Sequence, residues 1–197
     1  FSAAMILMGK YSRQENIVLG TASGGRPHDR LRNMVGMFVN TLALGIDLKK
    51  AESFRSFLGR VGELTAQALS NQDYSYSRLV EELGISGDPT GNPLFDVMFA
   101  LEHEGERLLT LPAVECEAVV AEQTTAKFDL TFQITQGEKN TRIALEYGAD
   151  LFREETAHRM IRHYIAILEQ IMKTPEGTVA SLMPLTQEER KEITLKL

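Results

Sequence analysis

The 197-residue chain is 43% hydrophobic, enough for one substantial core or one large lobe of something bigger. Its net charge of −6 argues against nucleic-acid binding, which needs clustered Lys and Arg, and a mildly acidic balance is ordinary for a cytosolic protein. A lone cysteine, Cys116, excludes an intramolecular disulfide, and no apolar run approaches the ~20 residues needed to cross a bilayer.

The chain opens on FSAAMILMGKY, where Phe1, Ala4, Met5 and Met8 keep helical spacing. This reads as the interior of a helix over 1–12 whose start lies upstream, with no signal peptide at this end. NIVLGT (16–21) reads as a buried strand and TASGGRPHD as a loop. VGMFVNTLAL (35–44) reads as the next strand, an apolar run interrupted by Asn40-Thr41. Between 51 and 72, Phe54, Phe57, Leu58, Val61, Leu64, Ala68 and Leu69 fall on one helical stripe. A shorter helix fits 76–83, ended by Gly84.

LFDVMFAL (94–101) reads as a central strand covered on both faces. Val114 to Val120 alternates, with Glu115 and Glu117 outward and Cys116 inward as a small apolar residue. Phe128, Leu130, Phe132 and Ile134 alternate with polar residues, QGEKN forms a hairpin loop, and 142–147 alternates again. The final helix, 153–173, carries an apolar stripe from Ala157 to Met172, with Asp150 placed to cap it. The order predicts an α/β (α+β) lobe: a mixed β-sheet with its long helices packed on one face. Residues 1–180 form that lobe, and the polar tail, 181–197, reads as a linker leaving it.

No self-contained catalytic constellation follows. GxxxxGK[ST], GxGxxG and GxSxG are all absent. His158 and His163 are five apart, about 140° around a helix, and cannot chelate a metal from one face. They read as solvent or packing histidines, His28 as a loop residue and His103 as a solvated strand end. Nothing beside Cys116 in sequence lowers its thiol pKa. Gln72, Asp73 and Tyr74 stand at the end of the long helix, where polar side chains bind free carbonyls.

Three segments in order, VGMFVNTLAL (35–44), NQDYSYSRLVEELG (71–84) and GNPLFDVMF (91–99), resemble the later core motifs of non-ribosomal peptide synthetase condensation domains. GTASGGRPH (20–28) resembles the segment preceding them, and AKFDLTF (126–132) and LEYGADLF (145–152) the family's closing strands. The chain departs from the family in having Ser75-Tyr76 where Pro-Phe is usual, GDPTG before Asn92, and no basic residue near Gly45. The family's HHxxxDG motif is absent, so the resemblance is to the C-terminal lobe of a chloramphenicol-acetyltransferase-like fold.

The resemblance implies amide-bond formation between carrier-bound aminoacyl and peptidyl thioesters in a tunnel between two lobes. This lobe supplies one wall, contains no catalytic residue or metal, and is inactive alone. It implies no directly bound cofactor, because substrates ride on the phosphopantetheine of carrier proteins. Implied partners are the N-terminal lobe, peptidyl carrier proteins and a following adenylation domain, in the cytoplasm of a bacterium. Neither nucleic acid nor membrane is among them, and self-association through the exposed wall is expected. Asn40 and Thr41, with Gly36, Gln72, Asp73 and Tyr74, are candidates for the tunnel or lobe interface. Asn40 either fixes the backbone there or merely satisfies backbone groups at a strand end. Arg26, Arg30 and Arg32 are candidates for docking an acidic carrier, with Arg26 otherwise a loop anchor. An epimerisation lobe and a non-catalytic docking lobe are the alternatives.

Overall fold

The computed structural model describes residues 1–85, 91–103, 114, 125–186 and 188–191. Its elements are α1 (Ser2–Ser12), β1 (Asn16–Ser23), β2 (Asn40–Asp47), α2 (Phe54–Ser70), α3 (Tyr76–Glu82), β3 (Val97–His103), β4 (Leu130–Gln136), β5 (Thr141–Tyr147) and α4 (Glu154–Lys173). The five strands form one sheet in the order β2-β1-β3-β4-β5. The two outer pairs are antiparallel and the two inner pairs parallel, so the sheet is mixed, as the sequence predicts.

Alternation decides which side of the sheet is packed. Ile17 and Leu19, Leu44, Phe99, and Leu130, Phe132 and Ile134 point to one face and join a single core. Phe54, Phe57 and Val61 of α2 and Met160, Tyr164 and Ile167 of α4 close on them. Helix α1 touches β1, α2 and α4. It is buried on every side from Ser2 to Gly9, which is why its sequence is apolar all round instead of striped.

The opposite face presents small and polar side chains, among them Gly20, Ala43, Ala100 and Thr131. The Phe95 ring packs against Gly20, where an added Cβ would sit 2.1 Å from it. Tyr76 meets Phe95 edge-on at 5.8 Å and Phe128 stacks on it at 5.5 Å. This small aromatic cluster ties α3 to the segments entering β3 and β4.

Several boundaries differ from the sequence expectation. The second strand begins at Asn40, not Val35, and Val35, Met37 and Val39 are exposed in a loop. Apolar composition without alternation misled there. The central strand is Val97–His103, and Leu94 to Asp96 precede it with Phe95 buried. Asp150 does not cap α4; Arg153 occupies the N-cap without a side-chain bond, and Glu154 and Glu155 complement the helix dipole instead. Helix α3 ends as expected, with Gly84 in the left-handed region at φ 61°. The strand expected over 114–120, with Cys116, lies outside the described residues except for Val114.

The tail does not leave the lobe at 181. Leu182 is 2% exposed within the core, and Gln170 of α4 clamps the Met183 backbone through both its amide atoms, at 2.7 and 3.0 Å.

Candidate functional site

Asn40 opens β2 opposite Ser23, at the end of the β1–β2 ladder. Its side-chain amide uses every hydrogen-bonding position it has in this setting. Nδ2 donates to the carbonyls of Gln72 and Tyr74 at 2.8 and 2.7 Å. Oδ1 accepts from the backbone N–H of Thr41 at 3.0 Å and of Tyr76 at 3.3 Å. One side chain thus stitches the strand to the turn between α2 and α3. Ser23 Oγ donates to Gln72 Oε1 beside it and accepts from the Gly25 N–H at 3.3 Å.

Asn40, Thr41, Gln72 and Tyr74 are therefore brought together, with exposed Asp73 between the last two. The polarity of the arrangement is the reverse of that read from sequence. Helix α2 ends at Ser70, and Asn71 bonds back to its Gln67 carbonyl. Gln72 and Tyr74 offer their own carbonyls to Asn40 instead of capping the helix with their side chains.

The adjoining loop is built on Arg26. Its guanidinium donates to the carbonyls of Leu31, Met34 (2.8 Å) and Gly36 (3.3 Å), and lies 4.2 Å over the Phe38 ring. Five donors in a rigid fork suit three converging carbonyls, which a lysine cannot match. Gly36 thus enters the arrangement through its backbone. Arg32 pairs with Asp29 at 3.1 Å on the surface, and Arg30 is exposed. Of the three candidate docking arginines, Arg26 is committed to holding its own loop.

A second polar cluster was missed from sequence. His163 of α4 is 5% exposed, with Tyr11 Oη at 2.8 Å from Nδ1 and Glu189 Oε2 at 2.9 Å from Nε2. A carboxylate only accepts, so Nε2 donates to Glu189, and Nδ1 shares a hydrogen bond with the Tyr11 phenol. Burial raises the Glu189 carboxyl, but hydrogen bonds from the Thr186 backbone and from His163 outweigh it and hold the group below its ordinary value. Burial raises the Tyr11 phenol. Hydroxyl, imidazole and carboxylate stand in the order of a nucleophilic relay, yet a phenol raised by burial is a reluctant nucleophile. The arrangement holds the tail. Two patterns pointed to it: His163 falls in the Met160, Tyr164, Ile167 stripe, and Thr186-x-x-Glu189 is a capping box, with both reciprocal bonds formed at 2.8 and 3.2 Å.

Among the described residues no group of His, Cys, Asp or Glu is arranged to hold a metal ion, and no helix is long and apolar enough to cross a membrane.

The mixed sheet and packed helices of the described residues match solved condensation-domain structures. The chain superposes on a crystal structure of a four-domain nonribosomal peptide synthetase bound to AMP and glycine, with TM-score 0.86 and 26% identity, covering 96% of this chain and 16% of that one. It matches the X-domain from teicoplanin biosynthesis with TM-score 0.84 and 25% identity, over 92% of this chain and 42% of that one. Among curated relatives, tyrocidine synthase 3 of Brevibacillus parabrevis is 39% identical over 98% of this chain. The chain spans only 3% of that relative's length. With the condensation-domain model matching residues 1–194, the chain belongs to the condensation-domain family.

Proposed function

We propose that this chain is the C-terminal lobe of a condensation domain that joins carrier-bound aminoacyl and peptidyl thioesters through an amide bond in a bacterial, cytoplasmic synthetase. The family match over residues 1–194 is the observation that supports this reading. The sequence contains no adjacent histidine pair, so the HHxxxDG histidine that positions or deprotonates the attacking amine comes from the other lobe. This lobe contributes a wall that orients the two thioesters and excludes water.

Asn40, Thr41, Gln72 and Tyr74 hold the strand–turn junction on that wall, and the Arg26-braced loop presents Met34, Val35 and Met37 toward the missing lobe. Without that lobe the exposed loop favours self-association, which sedimentation at rising concentration detects. Carrier proteins and an adenylation domain are its working partners, and phosphopantetheine belongs to the carriers.

The test is to supply the upstream part of the parent polypeptide together with two loaded carriers and to follow the carriers by mass spectrometry. The reading expects a dipeptidyl carrier with both lobes and none with this chain alone. No product from both lobes, with carriers verified as loaded, refutes it. Product from this chain alone refutes the division of labour between lobes.

A further inference from the structure

The segment that carries Val179, Leu182 and Glu189 is a strap lying along α4. Val179 and Leu182 are buried, and Gln170 of α4 holds the Met183 backbone. Where the strap meets the end of α1 and the middle of α4 lies a cavity of about 440 Å³, the size of a small-molecule site. The Tyr11–His163–Glu189 chain lines one part of it, and Pro184 and Leu185 form an apolar wall. Lys10 and Arg159 complete the lining. Among the described residues neither of these cations has a carboxylate ion-pair partner. Lys10 gives one of its three N–H groups to the Ala180 carbonyl at 3.0 Å. Burial, and after it the charge of Lys50, hold its ammonium below the ordinary value, a strain that a bound anion would relieve. Arg159 lies beside the Tyr11 phenol, and Arg162 adds its charge nearby. The carboxylate in the lining, Glu189, is already engaged: its Oε2 accepts from His163 at 2.9 Å and from the Thr186 N–H at 2.8 Å.

We propose that this cavity binds a small organic anion, its carboxylate or phosphate head held by Lys10 and Arg159 and its apolar body packed against Pro184 and Leu185. A guanidinium fork grips either oxyanion through two parallel N–H bonds, and an ammonium adds a point charge. None of the lining residues belongs to the Asn40 junction or to the Arg26 loop, so the site does not depend on the thioester reading. A molecule held here touches α1, α4 and the strap at once. It fastens the strap to the lobe by mass action, because opening the strap would release it.

The test follows amide hydrogen exchange of the 182–186 segment in the parent polypeptide while a probe is titrated, so that binding at other sites is silent. Phenyl phosphate and benzoate are the probes, with inorganic phosphate and benzyl alcohol as controls that lack the body or the charge. At least one probe should slow exchange saturably in roughly the millimolar range, and the tighter of the two identifies the head. Each control should need about tenfold more. The double variant Lys10→Met/Arg159→Gln should weaken the response about tenfold or more, whereas Lys10→Arg, which keeps the charge, should retain it. No slowing by either probe at roughly 10 mM overturns the proposal. So does a response that the double variant leaves unchanged, or one that inorganic phosphate or benzyl alcohol matches at the same concentration.

Discussion

Replacing Asn40 by Ala removes four hydrogen bonds at once: two given to Gln72 and Tyr74 and two taken from Thr41 and Tyr76. A net bond contributes about 1 kcal/mol, and water can re-enter this half-buried site, so the loss should be about 2–4 kcal/mol. For a chain of this length that lowers Tm by roughly 5–12 °C. Asn40→Asp sharpens the test, because a carboxylate keeps the two acceptor bonds but cannot donate, and it faces two carbonyl oxygens. At pH 7 the Asp variant should be no more stable than the Ala variant. It should recover as pH falls and the introduced carboxyl protonates, because the protonated form regains one donor. Urea unfolding at pH 7 and pH 5 measures both. An Ala variant within about 0.5 kcal/mol of wild type, or an Asp variant as stable as wild type at pH 7, refutes the view that Asn40 stitches strand to turn. Loss of turnover without loss of stability would instead give Asn40 a role toward substrate.

Glu189→Gln keeps the bond to His163 but removes the charge. The Glu189 carboxyl lies below its ordinary value of 4.5 in the folded chain, so its stabilising contribution is present above pH 4.5 and is lost as pH falls through the folded value. Acid-induced exchange of the strap amides should therefore steepen below pH 4.5 in wild type and flatten in the variant. Gly20→Ala forces a Cβ to within 2.1 Å of the Phe95 ring and should cost about 1–3 kcal/mol. Combining it with Phe95→Leu should cost less than the two single changes summed, and simple additivity in urea unfolding would count against the contact. Arg26→Lys should loosen residues 31–38, seen as faster proteolysis at that loop, with Tm falling by no more than about 4 °C because the loop lies outside the core.

The long elements were legible because their periods are clean. Helices α2 and α4 stripe at 3.6 residues per turn, and β4 alternates Leu130, Phe132 and Ile134 inward. The errors fell where hydrophobicity served something other than a strand face. Val35, Met37 and Val39 are apolar yet exposed in a loop, and Phe95 fills the space above Gly20. Asn40 stood out as an amide inside an apolar run, but three of its four partners are backbone groups more than 30 residues away, which no local pattern encodes. Glu189 and His163 lie 26 residues apart, and the only local hints of their meeting were the place of His163 on the buried stripe of α4 and the capping box at Thr186.

Helix α1 has a consequence for how the chain reaches its fold. It is made well before α4, which starts at Glu154, yet it is buried from Ser2 to Gly9 and its cover includes that helix. A ribosome adding about 5–20 residues per second must make most of the chain before that cover exists. Until then an apolar helix waits beside a half-built sheet, because its contacts with α4 close one of the longest loops the chain can form. Assembly of this lobe thus waits until α4 has been made. A truncation anywhere before α4 leaves α1 uncovered and yields aggregates instead of a smaller folded unit.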